Sequence, residues 1–266
     1  MSARRFVVTG ANCGVGRSIA ESLAADGHRV VLACRSEARA QDVLRSTAST
    51  PGAVELVRLD LGDLASVRAA ADRIARAPVD VLINNAGVGG ARGRTADGFE
   101  LAFGVNFVGH FALTRALEAA LAPDGRVVSL GSGSHEQARA VDLVAARRPT
   151  RSLTGIPEYA VSKLCVMLFA AELARRFAGT GRKSVVADPG DVASEAYRHV
   201  PWPARAWILC GLSSPDEGAR TPLWCATSPD ARNGALYADG REREPSPLAT
   251  DAALARALWA WAERAT

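Results

Sequence analysis

Lysine is nearly absent from this 266-residue chain. Of its 32 basic residues only Lys163 and Lys183 are lysine, so each one that is kept draws attention. Tyrosine is scarce too, with three in all. The five cysteines, Cys13, Cys34, Cys165, Cys210 and Cys225, are odd in number, widely spaced and without a CxxC pair. That pattern argues against a disulfide framework or a zinc site and for reduced thiols. Four scattered histidines offer no HxxxH or HExxH spacing, so metal-free chemistry is expected. No apolar run reaches the length of a membrane span, and the strand-like Phe6-Val7-Val8 comes too early to leave room for a signal h-region. A cytoplasmic location is the expectation. An excess of one charge is missing as well: the net charge is +4 and the basic residues are dispersed, which gives little support to a nucleic-acid or membrane partner.

What is present is an ordinary folded composition, 48% apolar and 23% charged. No low-complexity linker or fixed repeat divides the chain, so residues 1–266 read as one domain. Short β-rich runs alternate with helical patterns. Strands are expected at Arg5 to Thr9, Arg29 to Ala33, Val54 to Leu59, Val79 to Ile83, Arg126 to Leu130, Ser184 to Ala187 and Ala235 to Ala238. Nearly continuous apolar strands imply helices on both faces, hence an α/β, Rossmann-like, doubly wound fold with a mostly parallel seven-stranded sheet. The longest helices are expected at Gly98 to Leu121 and Ile156 to Ala178. The second carries Val161, Leu164, Cys165, Leu168, Phe169 and Leu173 at helical spacing, a stripe that suits core packing and also suits a homodimer interface. A last amphipathic helix, Ala252 to Glu263, has Asp251 placed to cap it.

The first strand runs into Thr9-Gly10-Ala11-Asn12-Cys13-Gly14-Val15-Gly16, and a helix follows. Strand, Gly-rich turn and helix N-terminus in that order form a pyrophosphate cradle, because glycine admits close approach and the unpaired N–H groups attract an anion. At the end of the second strand, where an acid often binds the ribose hydroxyls, stands Cys34-Arg35. A guanidinium there can hold a 2′-phosphate, which points to NADP(H), with Arg17 as a less certain helper. Asp60-Leu61 after the third strand is placed to cap the adenine, and Asn84-Asn85-Ala86-Gly87 after the fourth makes a small polar turn beside the nucleotide. Taken singly, Asp60 also fits a helix N-cap and the Asn pair an ordinary turn.

Tyr159 and Lys163 are four residues apart on a helix and so share a face. A free phenol titrates near ~10, about three units above neutrality. An ammonium about 4 Å away, at an effective dielectric near 20, supplies ~4 kcal/mol, roughly that shift. Ser132, at the end of the fifth strand, is placed to hydrogen-bond a substrate oxygen, with Ser129 and Ser134 as rivals. Asn106, inside a long helix, is placed to break the backbone pattern and to hold a water that relays protons to Lys163.

Together the glycine loop, Asn84 to Gly87, Asn106, Ser132, Tyr159/Lys163 and Pro189-Gly190 resemble the short-chain dehydrogenase/reductase family over nearly the whole chain. Leu32 to Arg35, Asn106 to Phe111 and Tyr159 to Leu164 look like its retinol-dehydrogenase-like branch. So does the spacing of Ser132 and Tyr159, which stand 27 residues apart. The resemblance implies a tetrad of Asn106, Ser132, Tyr159 and Lys163. It also implies that Pro189, Gly190, Val192 and Ser194 hold the nicotinamide carboxamide. Gly131, Cys13 and Asp188 depart from residues frequent in that branch, and Gly131 and Asp188 would reshape the pocket.

The expected activity is interconversion of a ketone or aldehyde with an alcohol. A segment from Tyr197 to Ser213, with Trp202, Trp207, Ile208 and Leu209 among prolines, suits an apolar lid over a bulky lipophilic or polycyclic substrate, equally suits plain core packing, and suits attachment to a membrane surface less well. Two alternatives stay open: a non-redox cyclase or epimerase that retains its cofactor, and a dinucleotide-binding sensor without turnover.

Overall fold

The computed structural model describes residues 3–192 and 212–266. Its centre is one sheet in the order β3-β2-β1-β4-β5-β6-β7-β8. The strands are β1 (Arg5–Thr9), β2 (Arg29–Cys34), β3 (Ala53–Arg58), β4 (Val79–Asn84), β5 (Leu121–Leu130), β6 (Lys183–Asp188), β7 (Leu236–Ala238) and β8 (Arg241–Arg243). All neighbours are parallel except β7 and β8. The sheet therefore has eight strands where seven were expected. The extra one is an exposed Arg-Glu-Arg edge folded back after Asp239-Gly240, with no apolar face to announce it.

Alternation along the strands sends side chains to two cores. Phe6 and Val8 face one core with Ile19 and Leu23 of α1 (Gly14–Ala25), Val43 of α2 (Glu37–Ser46) and Ala219 and Cys225 of α7 (Pro215–Thr227). Val7, Leu82 and Val127 face the other, with α3 (Leu64–Ile74), α5 (His110–Leu117), α6 (Ile156–Arg176) and α8 (Ala252–Ala265). An aromatic cluster binds the last three of these helices. Trp259 stacks on Phe169 at 5.8 Å and meets Phe111 edge-on at 5.0 Å. Of the stripe on α6, Leu164, Cys165, Leu168, Phe169 and Leu173 are buried inside one chain, and Val161 packs half-buried against the same core. Asp251 accepts from the N–H groups of Ala253 and Leu254, the cap expected of it.

The helix expected from Gly98 to Leu121 is shorter and broken. It consists of α4 (Leu101–Phe103), a π-helical turn at Gly104–Gly109 and α5, and β5 already begins at Leu121. The π turn surrounds Asn106, where a wider ring lets the backbone accommodate a side chain committed elsewhere. The sheet order reverses between β1 and β4, and the crevice outside the carboxyl ends of the strands opens there.

Candidate active site

That crevice is a cleft of about 1050 Å³. Of the residues singled out in the sequence, Gly10, Asn12, Cys13, Gly14, Val15, Gly16, Arg35, Asp60, Leu61, Ala86 and Gly87 line it, as do Ser132, Tyr159, Lys163, Pro189, Gly190 and Val192. Ser194 and residues 197–211 of the expected lid lie outside the described residues. Asn84 does not line the cleft. It is the last residue of β4, its side chain turns toward α5, and its Nδ2 donates to Thr114 Oγ1 at 3.1 Å. Asn85, one residue on, takes the cleft position and donates from Nδ2 to the Thr9 carbonyl at 2.7 Å. Sequence reasoning also passed over Ser36 and Arg39, which line the cleft beside Arg35. Their signal was there: Ser36 caps α2, and Arg39 stands one helical turn past Arg35.

The glycine loop is built for a close ligand. Gly10 has φ of 67°, the left-handed region. A Cβ on Gly16 would sit 2.3 Å from Asn85 Nδ2 and 2.5 Å from the Gly10 carbonyl oxygen. Helix α1 starts after Cys13 with no side-chain cap and no acid in its first turn, so its positive end is left for an anion. Arg35 is 68% exposed at the end of β2, with Nη1 3.9 Å from Asp60 Oδ2. Asp60 Oδ1 accepts from the Gly62 N–H at 2.9 Å, so this carboxylate closes a local turn, while Asp63 is the N-cap of α3.

At the other end of the cleft, Tyr159 and Lys163 both project from α6. Lys163 Nζ donates to the Leu130 carbonyl at 2.8 Å and lies 5.6 Å from the centre of the Tyr159 ring. Burial pushes the Tyr159 phenol above its ordinary range, its hydrogen bond with Ser132 pulls it down, and Asp188 and Asp191 push it up. The net shift is upward, where the sequence led one to expect a lowering beside the ammonium, because desolvation of the half-buried phenol is the largest cause. At neutral pH the group is therefore a proton-bearing donor. Burial also lowers Lys163, to about 8, against an opposing pull from Asp188.

Ser132 Oγ donates to Ser134 Oγ and accepts from the Ser134 N–H, both at 3.2 Å. Its carbonyl accepts from His135 Nδ1 at 2.8 Å, and His135 Nε2 accepts from the Ser246 N–H at 3.3 Å, so the turn carrying Ser132 is tied to the C-terminal segment. Ser129, the rival, is buried outside the cleft. Gly131 has a steric reason: a Cβ there would lie 2.8 Å from Val186 Cγ1.

Asn106 faces inward. Its Oδ1 accepts from the Val88 N–H at 2.8 Å, and its Nδ2 donates to the Val88 carbonyl at 3.0 Å and to Ser162 Oγ at 2.9 Å. It fastens the loop after β4 to α6 beside Tyr159. Its own carbonyl accepts from His110 Nδ1 at 3.0 Å. That fixes the tautomer, so Nε2 accepts from Thr9 Oγ1 at 2.9 Å. The Thr9 hydroxyl in turn accepts from the N–H groups of Asn85 and Ala86, each at 2.9 Å.

Residues 4–201 match the model of the short chain dehydrogenase family. The chain belongs to that family. It is 40% identical to polyprenol dehydrogenase of Mus musculus, with 99% of this chain and 84% of that protein covered. It is 37% identical to retinol dehydrogenase 14 of the same species, covering 97% and 84%. Among solved structures, an uncharacterised protein from Mycobacterium Paratuberculosis is 35% identical with a TM-score of 0.81, covering 98% of this chain and 92% of that one. A short chain dehydrogenase from Burkholderia cenocepacia J2315 in complex with NADP is 28% identical with a TM-score of 0.71, covering 89% and 96%. The protein is thus an oxidoreductase of a family that binds a nicotinamide dinucleotide. Among the described residues no helix is long and apolar enough to cross a membrane.

The donor set fits such a dinucleotide: an open helix N-terminus, a turn too tight for a Cβ at Gly16, and a cationic and a phenolic group at the far end. Gly16→Ala is expected to weaken dinucleotide binding by at least about tenfold, because the new methyl displaces Asn85 or the Gly10 carbonyl. Fluorescence titration of the reduced cofactor measures this.

Proposed function

We propose that this enzyme interconverts a ketone or aldehyde and an alcohol with NADP(H), on a bulky lipophilic substrate, with Tyr159 as the general acid and base. The observation that carries the reading is a half-buried phenol hydrogen-bonded to Ser132 and sharing one cleft with Lys163 and an anion-ready helix end. The bound cofactor supplies or accepts the hydride. Pro189, Gly190 and Val192, which line the cleft, would hold its nicotinamide end, and Ser194 is assigned there by family resemblance. Tyr159 gives its proton to the oxygen that becomes the alcohol, or takes it back in the reverse direction. Ser132 donates to that oxygen as negative charge develops. Lys163 holds positive charge near the phenol, while Asn106 positions α6 against the loop after β4.

The preference for NADP(H) rests on Arg35, with Ser36 and Arg39 beside it and no acid closing β2. Arg35→Asp is expected to lower the ratio of kcat/KM for NADPH over NADH by about a hundredfold, since ~3 kcal/mol of paired, charge-assisted bonding turns to repulsion. An unchanged ratio would contradict it.

The substrate class draws support from the cleft mouth, where Leu153 is 87% exposed and lines the opening beside Gly89 and Gly90. Relatives named polyprenol and retinol dehydrogenases agree with it. The test is a panel of polycyclic and long-chain ketones with NADPH oxidation followed at 340 nm; turnover of small polar ketones alone would overturn the lipophilic assignment. For kcat/KM, which reports the free enzyme, reduction is expected to fall about tenfold per pH unit above the Lys163 value of about 8. As pH rises through that value the ammonium becomes neutral and no longer supports charge at the phenol.

A further inference from the structure

Asp188 ends β6 where the chain turns into Pro189 and Gly190, two residues of the cleft wall. Its Oδ1 accepts from the Gly190 N–H at 2.9 Å, and Gly190 has φ of 75°, so the side chain closes a tight turn. Closing it requires an acceptor and nothing more, and the amide oxygen of an asparagine would serve as well. The turn therefore does not account for the charge, which is held half-buried. The second oxygen faces the turn that carries Ser132: a Cβ added at Gly133 would lie 3.9 Å from Asp188 Oδ2. Leu130 and Ala187 are register partners of β5 and β6, and the Gly131 N–H donates to the Ala187 carbonyl at 2.9 Å. The carboxylate thus stands between the Ser132 turn and Pro189-Gly190. Its field reaches both groups on α6, pushing the Tyr159 phenol up and opposing the fall of Lys163. Asp191, exposed on the cleft wall, acts on Tyr159 in the same direction.

We propose that the Asp188 carboxylate stabilises the oxidised, cationic nicotinamide over the reduced, neutral one, so that the enzyme holds NADP⁺ tightly and hydride donation from bound NADPH is favoured. The proposal rests on the reading that Pro189, Gly190 and Val192 hold the nicotinamide end. Transfer of a hydride to a carbonyl carbon leaves one positive charge on the ring, while the oxygen takes its proton from Tyr159. A fixed carboxylate beside that end attracts one redox form and is indifferent to the other, which is the differential interaction that a bias between two states requires. Among the described residues the opposing charges at this end are Lys163, which donates to the Leu130 carbonyl, and Arg92 on the loop after β4. Both remain when Asp188 is replaced, so they cancel from a comparison made where Lys163 keeps its proton.

Asp188→Asn keeps an acceptor for the Gly190 N–H and removes only the charge. The measurement is the Kd of NADP⁺ by calorimetry and of NADPH by fluorescence, on the whole enzyme at about pH 6.5, below the Lys163 value of about 8. Asp188→Asn is expected to raise the Kd of NADP⁺ about tenfold and to leave that of NADPH within about twofold, as suits one charge roughly 10 Å away at an effective dielectric near 20. NAD⁺ and NADH, titrated in parallel, should show the same change in their ratio because the ring is the same. Asp188→Glu, which keeps the charge, is expected to stay within about threefold of the wild-type ratio. Damage to the turn would weaken both redox forms alike. An unchanged ratio or an equal weakening in Asp188→Asn overturns the proposal, as does a shift in Asp188→Glu as large as that in Asp188→Asn. Each of those results leaves dinucleotide binding in place. A wild-type enzyme that binds neither form of either dinucleotide would instead sink the underlying reading, and this proposal with it.

Discussion

Tyr159→Phe is expected to lower kcat for ketone reduction by about 10³-fold, inside the ~10²–10⁴ range that positioned proton transfer contributes. The substitution removes one hydroxyl and keeps the ring, which packs against the Gly89 strip; a Cβ on Gly89 would meet that ring at 3.5 Å. Cofactor contacts at the glycine loop and Arg35 are untouched, so the Kd for NADPH is expected to stay within about threefold. Steady-state assays and fluorescence titration measure the two quantities separately. Loss of turnover with retained binding is the signature of a proton donor. Retained turnover would mean that another group, with Ser132 the nearest candidate, supplies the proton.

Lys163→Met is the second large effect. Methionine preserves a flexible, unbranched stem in a site where lysine is 6% exposed, but it removes the ammonium and the bond to the Leu130 carbonyl. The expected loss in kcat/KM is about 10²–10³-fold, because one nearby charge in a site of low effective dielectric supplies several kcal/mol. The alkaline limb near 8 should vanish with the group that titrates there. Thermal stability should hold or rise, since the lowered pKa means that the fold disfavours the buried charge. A variant that loses activity by unfolding would show the opposite, a depressed Tm.

Much of this was legible in the residues. β1 falls at Arg5–Thr9 as expected, and the next three strands lie within a residue or so, because buried parallel strands are written as unbroken apolar runs between turn residues. β5 starts earlier than its apolar run, since Pro123-Asp124-Gly125 reads as a turn while Leu121 already pairs with Val79. The π turn at Asn106 was half visible in Gly104 and Gly109 on either side of it. The exchange of Asn84 for Asn85 is a matter of parity: the last strand residue points into a helix layer and the next one into the crevice. The state of Tyr159 was not legible, because a four-residue spacing places a cation nearby but says nothing of how much water surrounds the phenol.

The most direct test of the account is isotopic. Enzyme, a lipophilic ketone and NADPH carrying deuterium at C4 of the nicotinamide should give alcohol with one deuterium on the former carbonyl carbon, together with an equal amount of NADP⁺. Turnover that leaves the cofactor reduced and the product free of deuterium would contradict net hydride transfer and point to non-redox chemistry in the same cleft.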